Sequence, residues 1–337
     1  MGPTRIGPTA ELPSMPSSLS ARLSDPARTL TLPELAEAWF QQSVEVRLPG
    51  LGVQAAEPAF AGKVRGAWGH ALMGAASPEA LAGRPCPWDP PCALSVLFNE
   101  QARLMAGMEV PRPYRITARP HGADALVRLT LYGFACDWMT AAAEALTIAL
   151  RERLELPRLG RGAPGPVMPG PRRLETMAGI VAPTAAEAVE ITLDSPADLT
   201  GDTLPLERFG GFVTGLGRRV AGLARWQDAA VSADWRTLKE AADALPLRRP
   251  DLLRVAWERR SDRQGGRPVP MSGVVGTIYV DGLAAAGQAG AVAGATTEAA
   301  GTPPPLLSLL ALAPHVGVGK GTTRGLGTCT LRFIGGG

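Results

Sequence analysis

The most informative stretch of the sequence is HVGVGKGTTRGLGTCTL, from His315 to Leu331. It contains two cations, Lys320 and Arg324, and no acidic residue. Its glycines are Gly317, Gly319, Gly321, Gly325 and Gly327. Glycine lets backbone N–H groups approach a phosphate closely, and neighbouring cations supply the opposite charge. The stretch therefore predicts a phosphate-binding loop, with a glycine-rich hairpin that holds no ligand as the alternative.

A nucleotide-binding P-loop is excluded because two positions of its motif have the wrong residues in this stretch. Aligned on Lys320, the motif G-x-x-x-x-G-K-[ST] requires glycine at position 314 and serine or threonine at position 321. The sequence has Pro314 and Gly321 at these positions. The apolar run 306–313 before the loop and the segment 329–334 after it are both interpreted as strands. No helix N-terminus then follows the loop to hold a pyrophosphate.

The order of predicted elements indicates two similar domains. In the first half, alternation predicts strands at 43–49, 114–118 and 126–134, and helical spacing predicts helices at 60–75 and 138–154. In the second half, strands are predicted at 188–193, 252–260 and 274–280, and helices at 209–226 and 235–245. Strand, helix, strands, helix is the order of an α+β sandwich with helices on one face. We predict tandem ferredoxin-like domains with antiparallel sheets.

Composition places the domain boundaries. A chain of 337 residues is long enough for two ordinary domains. Residues 1–29 are rich in Pro, Ser and Thr and are predicted to form a disordered tail. The stretch 159–173, LGRGAPGPVMPGPRR, is predicted to be a basic linker between an N-terminal domain at 30–158 and a C-terminal domain at 174–337.

Charge and cysteine content constrain the partners and the compartment. Only three of the 34 basic residues are lysines, so 31 are arginines, whose planar guanidinium can grip a phosphate with two hydrogen bonds. A coding bias toward arginine is the alternative explanation. The four cysteines are scattered, and no signal segment or membrane-length apolar run is seen, so we expect a cytoplasmic protein with reduced thiols. Cys86 and Cys92 cannot complete a four-ligand zinc site, so we expect neither metal nor cofactor.

The pattern Gly-x-Gly-Lys-Gly-Thr-Thr-x-Gly-Leu-Gly at 317–327 resembles the glycine-rich loop of the RAMP superfamily. It is most similar to the CRISPR endoribonucleases that process precursor RNA. Three further segments resemble that family. They are KVRGAWGHALM at 63–73, like its first-domain helix, the helix at 209–226 with its Arg-Arg pair, and WERRSDRQGGRPVPMSGVVG at 257–276.

The resemblance implies two RRM-like domains that face one another and hold CRISPR repeat RNA along the cleft and against the glycine loop. It implies metal-independent cleavage of one phosphodiester bond, with a 2′,3′-cyclic phosphate and a 5′-hydroxyl as product ends. Other CRISPR effector subunits are further partners that it allows, and both a monomer and a homodimer are compatible with it. The alternative is a non-catalytic RAMP subunit that binds guide RNA in an effector complex.

Cleavage by a 2′-hydroxyl requires a base, an acid and cations, and histidine suits the first two because its pKa lies near neutrality. His70 lies on the predicted first helix, and His315 adjoins the glycine loop, whereas His121 is typical of a turn. Each of the first two has a packing role as its alternative. The predicted catalytic residues are His70, His315 and Lys320.

Predicted RNA contacts come from the loop and from two basic segments. Sequence-independent affinity for RNA comes largely from neutralising its phosphates. The predicted RNA-binding residues outside the loop are Lys63, Arg65, Arg259, Arg260 and Arg263, and those within it are the five glycines and Arg324. A solvated face with salt bridges is the alternative for the segment 248–267. Arg218 and Arg219 are equally compatible with RNA binding and with solvation.

Overall fold

Two antiparallel β-sheets, one in each half of the chain, form the framework of the fold. The computed structural model describes residues 19–154, 169–170, 172–199, 208–249, 251–260, 267–286 and 302–335. The elements of the first half are α1 (Leu19–Ser24), β1 (Arg28–Leu30), α2 (Leu32–Glu37), β2 (Phe40–Leu48), α3 (Gly52–Ala55), α4 (Phe60–Met73), α5 (Pro78–Leu81), α6 (Ala93–Phe98), β3 (Arg103–Met105), β4 (Met108–Glu109), β5 (Tyr114–His121), β6 (Asp124–Tyr132), α7 (Met139–Ile148) and β7 (Arg173–Ala178). Those of the second half are β8 (Ala188–Ala197), α8 (Phe209–Ala224), β9 (Ala229–Val231), α9 (Trp235–Asp243), β10 (Leu247–Arg248), β11 (Leu253–Arg260), β12 (Pro268–Asp281), α10 (Leu283–Ala286), α11 (Pro305–Val316) and β13 (Cys329–Ile334).

Both sheets have the connectivity of a ferredoxin-like domain. The first sheet has the order β5-β6-β2-β7. Along the chain, α4 lies between β2 and β5, and α7 lies between β6 and β7. The second has the order β10-β12-β8-β13, with β11 also paired to β12. Along the chain, α8 follows β8, and α11 lies between β12 and β13. Neighbouring strands are antiparallel throughout both sheets. The predicted α+β fold with tandem ferredoxin-like domains is confirmed.

Helix α4 packs against the first sheet through one apolar stripe. Phe60, Val64 and Trp68 recur at intervals of four residues, and all three are fully buried. The Trp68 ring meets the Tyr114 ring of β5 edge to face at 4.9 Å. Burying each such side chain stabilises the fold by roughly 1.5–3 kcal/mol. This packing fixes which face of α4 is left for other contacts.

The other face of the first sheet is polar. The Ser43 and Thr130 hydroxyls lie 2.9 Å apart on neighbouring strands. Arg128 forms ion pairs with Glu45 and Glu175 at 3.0 and 3.1 Å. Side chains alternate between the faces of a strand, so Tyr114 points to α4 and Arg115 to the polar face. The second half of the chain meets this polar face at the end of α11.

The segment 306–313, predicted to be a strand, belongs to helix α11, so that prediction is wrong. Residues 305–313 are buried without a break, which leaves no helical alternation of apolar and polar positions in the sequence. A continuous apolar run does not distinguish a buried strand from a buried helix. The deciding signals are the length of the apolar segment and the proline in the first turn of the helix.

The predicted domain boundaries also require correction. Strand β7 pairs with β2 and completes the first sheet, so this sheet extends through Ala178 and past the predicted boundary at 173/174. Most of the predicted linker lies outside the described residues. Within the predicted tail, residues 19–24 form a helix and 28–30 a strand. Leu23 is fully buried, which gives this segment an apolar anchor.

Residues 19–31, which we call the N-terminal strap, bind the second half of the chain. Strand β1 pairs in parallel with β9. Asp228, in the left-handed conformation with a φ of 57°, accepts hydrogen bonds from Arg22 Nε at 3.1 Å and from the Ala27 backbone N–H at 3.0 Å. The N-terminal strap, which precedes the first domain in the chain, therefore contacts the second domain and ties the two together.

We expect Asp228→Ala to lower the free energy of unfolding by about 1–3 kcal/mol, because two donors lose their acceptor. Asp228→Asn keeps an acceptor oxygen and tolerates the same φ, so its effect is smaller. Asp25→Ala, an exposed position in the strap, is the control and is expected within about 0.5 kcal/mol of the parent. Urea unfolding measures all three, and equal values for Asp228→Ala and Asp25→Ala would contradict this role.

Candidate nucleic-acid interface

The glycine loop (residues 317–328) crosses from the second half of the chain onto the first. It joins α11 to β13 and is held to its own domain by the Lys320 backbone N–H, which donates to the Asp198 carbonyl at 2.8 Å. A methyl group built on Gly325 would lie 2.5 Å from the Ala61 side chain and 3.0 Å from the Ile116 carbonyl oxygen. The loop therefore packs on α4 and on the edge strand β5.

The five loop glycines all have positive φ, between 64° and 81°. Three of their N–H groups donate to protein acceptors: Gly317 to Ala313, Gly325 to Thr322 and Gly327 to Pro196. These glycines set the shape of the loop, since other residues rarely adopt this φ. The N–H groups of Gly317, Gly325 and Gly327 are engaged within the protein, so these three do not offer the predicted cradle of backbone donors for a phosphate.

Three arginines from separate elements, which we call the arginine cluster, converge beside the loop. Arg324 comes from the loop, Arg65 from α4 and Arg259 from β11. Burial lowers the pKa of Arg324, and the positive charges of Arg259 and Arg65 lower it further. Across the described ranges, none of the three forms an ion pair with a carboxylate. Among the described residues, the positive charge around Arg324 is therefore not balanced by a carboxylate, an arrangement that suits an anion.

Arg65 is held in place by aromatic residues. Its Nε donates to the Tyr114 hydroxyl at 2.7 Å, and its guanidinium lies 4.8 Å from the centre of the Phe98 ring. Phe98 in turn stacks on Tyr114 at 5.4 Å. Burial raises the pKa of Tyr114, so its hydroxyl keeps its proton near neutral pH. Arg65 is thus oriented before any ligand binds, which reduces the entropy lost on binding.

Arg259 reaches the loop from an extended β-ribbon. Strand β11 pairs with β12 from Pro268 to Val275, whereas β8 pairs with β12 only from Val274 onward. The outer part of this hairpin therefore projects beyond the second sheet. The Nε of Arg259 is buried and, among the described residues, has no hydrogen-bond partner. Arg260 pairs with Pro268 in the same ribbon, and Arg263 lies outside the described residues.

The C-terminus of α11 is held by residues from both domains. Arg115 Nη1 donates to the Pro314 carbonyl at 2.8 Å, and the Tyr132 hydroxyl donates to the His315 carbonyl at 2.7 Å. Arg219 Nε donates to the Val316 carbonyl at 2.6 Å, and burial lowers the pKa of Arg219 to about 10. Cations at a helix C-terminus complement its dipole. Arg219 therefore stabilises the helix, which is neither of the two roles proposed for it from the sequence.

His315 borders a cleft of about 390 Å³ on the polar face of the first sheet. Ser43, Arg128 and Thr176 are among the residues that line the same cleft. Burial, and then the positive charge of Arg115, lower the pKa of His315. Its imidazole is therefore neutral at pH 7 and able to accept a proton.

His70 lies on the side of α4 that faces away from the glycine loop. It follows Ala61, which contacts Gly325, by nine residues, or about two and a half turns of helix. Lys63 lies about two turns before His70 on the same side and pairs with Glu57 at 3.7 Å. His70 and Lys63 therefore lie on the same side of α4, turned away from Gly325. Lys320 is an exposed residue of the loop itself.

Arg115, Tyr114 and Phe98 are residues of this region that were not predicted as functional from the sequence. Arg115 is only 5% exposed, and the available signal was an arginine at the start of the predicted strand YRITA. Phe98 was not assigned to any predicted element. In the described part of the chain, no group of three or more His, Cys, Asp or Glu residues is arranged to hold a metal ion. None of its helices is both long and apolar enough to cross a membrane.

No protein-family model matches this chain, and no curated protein matches its sequence. Several solved structures are similar to it. They include Cas6 of Thermus thermophilus (16% identity, 88% of this chain and 99% of that chain, TM-score 0.47), a second Cas6 in a product complex (15%, 87%, 99%, 0.45) and Cas6b (9%, 86%, 99%, 0.37). All identities are below 25% and all these TM-scores are below 0.5, so we take no residue role from these structures.

Proposed function

We propose that this chain is an endoribonuclease that cleaves CRISPR repeat RNA in precursor transcripts and releases guide RNAs. The observation that carries the proposal is the convergence of Arg65, Arg259 and Arg324 beside the glycine loop. The three come from both domains and have no acidic partner within the described residues. A phosphate of the RNA backbone would supply the missing negative charge. The resemblance of the loop and of three further segments to the family supports repeat RNA as the substrate.

The reaction that these residues suit is attack by a ribose 2′-hydroxyl on the neighbouring phosphorus. A base removes the hydroxyl proton, the P–O5′ bond breaks, and the 5′-oxygen leaves as a hydroxyl after receiving a proton. The products carry a 2′,3′-cyclic phosphate and a 5′-hydroxyl. The three guanidinium groups would hold a phosphate of the RNA strand by charge-assisted hydrogen bonds. The extra negative charge of the pentavalent intermediate would be stabilised by a cation near the base, a role that we propose for Lys320.

His315 is the base that we propose. Its imidazole is neutral at pH 7, it borders the polar cleft, and it directly precedes the glycine loop. The RNA would run from this cleft over the edge strand β5 to the arginine cluster. Lys320, exposed in the loop, would serve as a further cation. His70 is the alternative base, and it requires an RNA path along the far side of α4.

A second candidate function is a guide-RNA-binding subunit without catalysis. The observation that favours it is the separation of His70 from the arginine cluster, together with the position of His315 on the other face of the first sheet from Tyr114 and Arg65. A phosphate held by three arginines with no base nearby would be bound and not cut.

The test is incubation of the purified chain with end-labelled repeat RNA in excess EDTA, with RNA binding measured in parallel. We expect one cut with a cyclic-phosphate end. A single 2′-deoxy nucleotide placed before that bond should abolish the cut and preserve binding. His315→Gln should lose cleavage and keep binding, whereas His70→Gln and the control His121→Gln, at the end of β5, should keep both.

The pH dependence of the cut identifies the base. The pKa of His315 is below its ordinary value, so the rate should stay level as the pH falls to about 6.5 and decline only at lower pH. Loss of cleavage in His70→Gln alone would transfer the role to His70. Tight binding without cleavage, with or without magnesium, would favour the guide-binding subunit.

A further inference from the structure

Two cysteines meet in the loop that joins α5 to α6. The backbone N–H of Cys92 donates to the Sγ atom of Cys86 at 3.3 Å. Cys92 also occupies the N-cap position of α6, without a side-chain capping hydrogen bond. The loop is anchored nearby by Trp138, whose indole N–H donates to the Pro91 carbonyl at 2.7 Å. A sulfur atom this close to its partner's backbone nitrogen is within one side-chain rotation of the partner sulfur.

The environment of Cys86 favours its thiolate. Burial opposes ionisation, but hydrogen bonds from the Cys92 backbone N–H, the Ser77 hydroxyl, the Trp88 backbone N–H and the Cys92 thiol together lower the pKa of Cys86. Its side chain is partly exposed. The thiolate is the form that reacts with oxidants and disulfides, so a partly exposed cysteine with a lowered pKa is a reactive one.

Two other cysteines in the same chain are an internal comparison. Burial raises the pKa of Cys136 to about 12 and that of Cys329 to about 12. Both side chains are buried. They remain thiols at neutral pH and are shielded from solutes, so an oxidant added to the folded protein should discriminate between these two cysteines and Cys86.

We infer that Cys86 and Cys92 form a reversible redox site that a hydroperoxide oxidises to a disulfide. The Cys86 thiolate attacks a peroxide oxygen, the O–O bond breaks, and Cys86 becomes a sulfenic acid while hydroxide, or an alkoxide from an organic peroxide, leaves and takes a proton from water. The Cys92 sulfur then attacks the Cys86 sulfur, the S–O bond breaks, and water leaves with the Cys92 proton. The two electrons lost by the thiols reduce the peroxide. A dithiol reductant reverses the change.

The disulfide would form at the start of α6, whose last residue, Phe98, lies 4.8 Å from the Arg65 guanidinium. The site therefore adjoins the element that supports the arginine cluster. Its chemistry does not depend on the proposed function, because no RNA-contacting residue takes part in it. The bridge would close a short loop. It would link two positions that are already in contact.

The test uses the full chain, reduced and freed of reductant, with a small excess of hydrogen peroxide at neutral pH. The intact mass should fall by two hydrogen atoms, and peptide mapping should find Cys86 joined to Cys92. In Cys92→Ser, we expect a sulfenic acid at Cys86 that dimedone captures. In Cys86→Ser, we expect no disulfide and no captured sulfenic acid under the same conditions.

Cys136 and Cys329 serve as the control within each sample, and both should remain unmodified while the protein is folded. Dithiothreitol should restore the original mass of the oxidised chain. Three outcomes would overturn the inference: no loss of mass, oxidation first at Cys136 or Cys329, or a disulfide between two chains in place of the internal one. Circular dichroism of each serine variant checks that the fold is retained.

Discussion

Arg324→Ala is expected to weaken RNA binding by about 10- to 150-fold, the effect of losing a charge-assisted contact of about 1.5–3 kcal/mol. Arg324 is the loop member of the arginine cluster, and its charge is already crowded by Arg65 and Arg259. The slope of binding affinity against salt concentration should fall by about one, as for the loss of one phosphate contact. Filter binding or fluorescence anisotropy over a salt series measures both.

Stability separates this role from a structural one. Removing a cation that two other cations repel relieves an unfavourable interaction. Arg324→Ala should therefore not destabilise the protein, and we expect its free energy of unfolding to stay close to that of the parent. Arg324→Lys keeps the charge but loses the planar fork, and we expect an intermediate affinity with an unchanged salt slope. Arg236→Ala removes an exposed cation from α9 and should leave affinity nearly unchanged. Equal losses in Arg324→Ala and Arg236→Ala would show that only net charge matters.

The cluster also shows where prediction from sequence ends. Arg65, Arg259 and Arg324 were each predicted to contact RNA, and the fold brings them together, although Arg65 and Arg259 are 194 positions apart in the sequence. Their predicted companions Lys63 and His70 are on the opposite side of the same helix from the loop. Helical periodicity gives the angle between two positions, but only the packing partner decides which side faces the site. That partner, Gly325, lies more than 250 residues away in sequence.

The same limit explains the errors in the second half. The strands at 188–193 and 274–280 alternate because one face is buried and the other is not, so their pattern was readable. Helix α11 is enclosed on every side, and its apolar run carries no period. The roles of Arg115 and Arg219 could not be predicted for a related reason. Their acceptors are carbonyls at the end of that helix, and a backbone acceptor leaves no trace in the sequence.

Gly327→Ala is expected to have the largest effect on stability. Gly327 has a φ of 64°, and a methyl group built on it would overlap the Val318 carbonyl oxygen. The carbonyl cannot withdraw easily, because the Val318 backbone N–H is itself bonded to the Gly327 carbonyl at 2.8 Å and the Gly327 N–H to Pro196 at 3.0 Å. The left-handed φ alone costs an alanine about 1–2 kcal/mol, and the overlap adds to it. We expect a total loss above about 3 kcal/mol.

Urea unfolding and the yield of soluble protein measure this loss, and Gly66→Ala on α4 is the matched control. Gly66 has open space around the position of the added methyl group, and alanine favours helix, so this variant should gain about 0.5–1 kcal/mol. If the glycines acted mainly through their N–H groups on RNA, Gly327→Ala would fold normally and lose only RNA binding. A stable Gly327→Ala variant with weakened binding would therefore contradict the shape-setting role. An unstable variant, beside a stabilised Gly66→Ala, would support the view that the glycines build the loop and the arginines bind the phosphate.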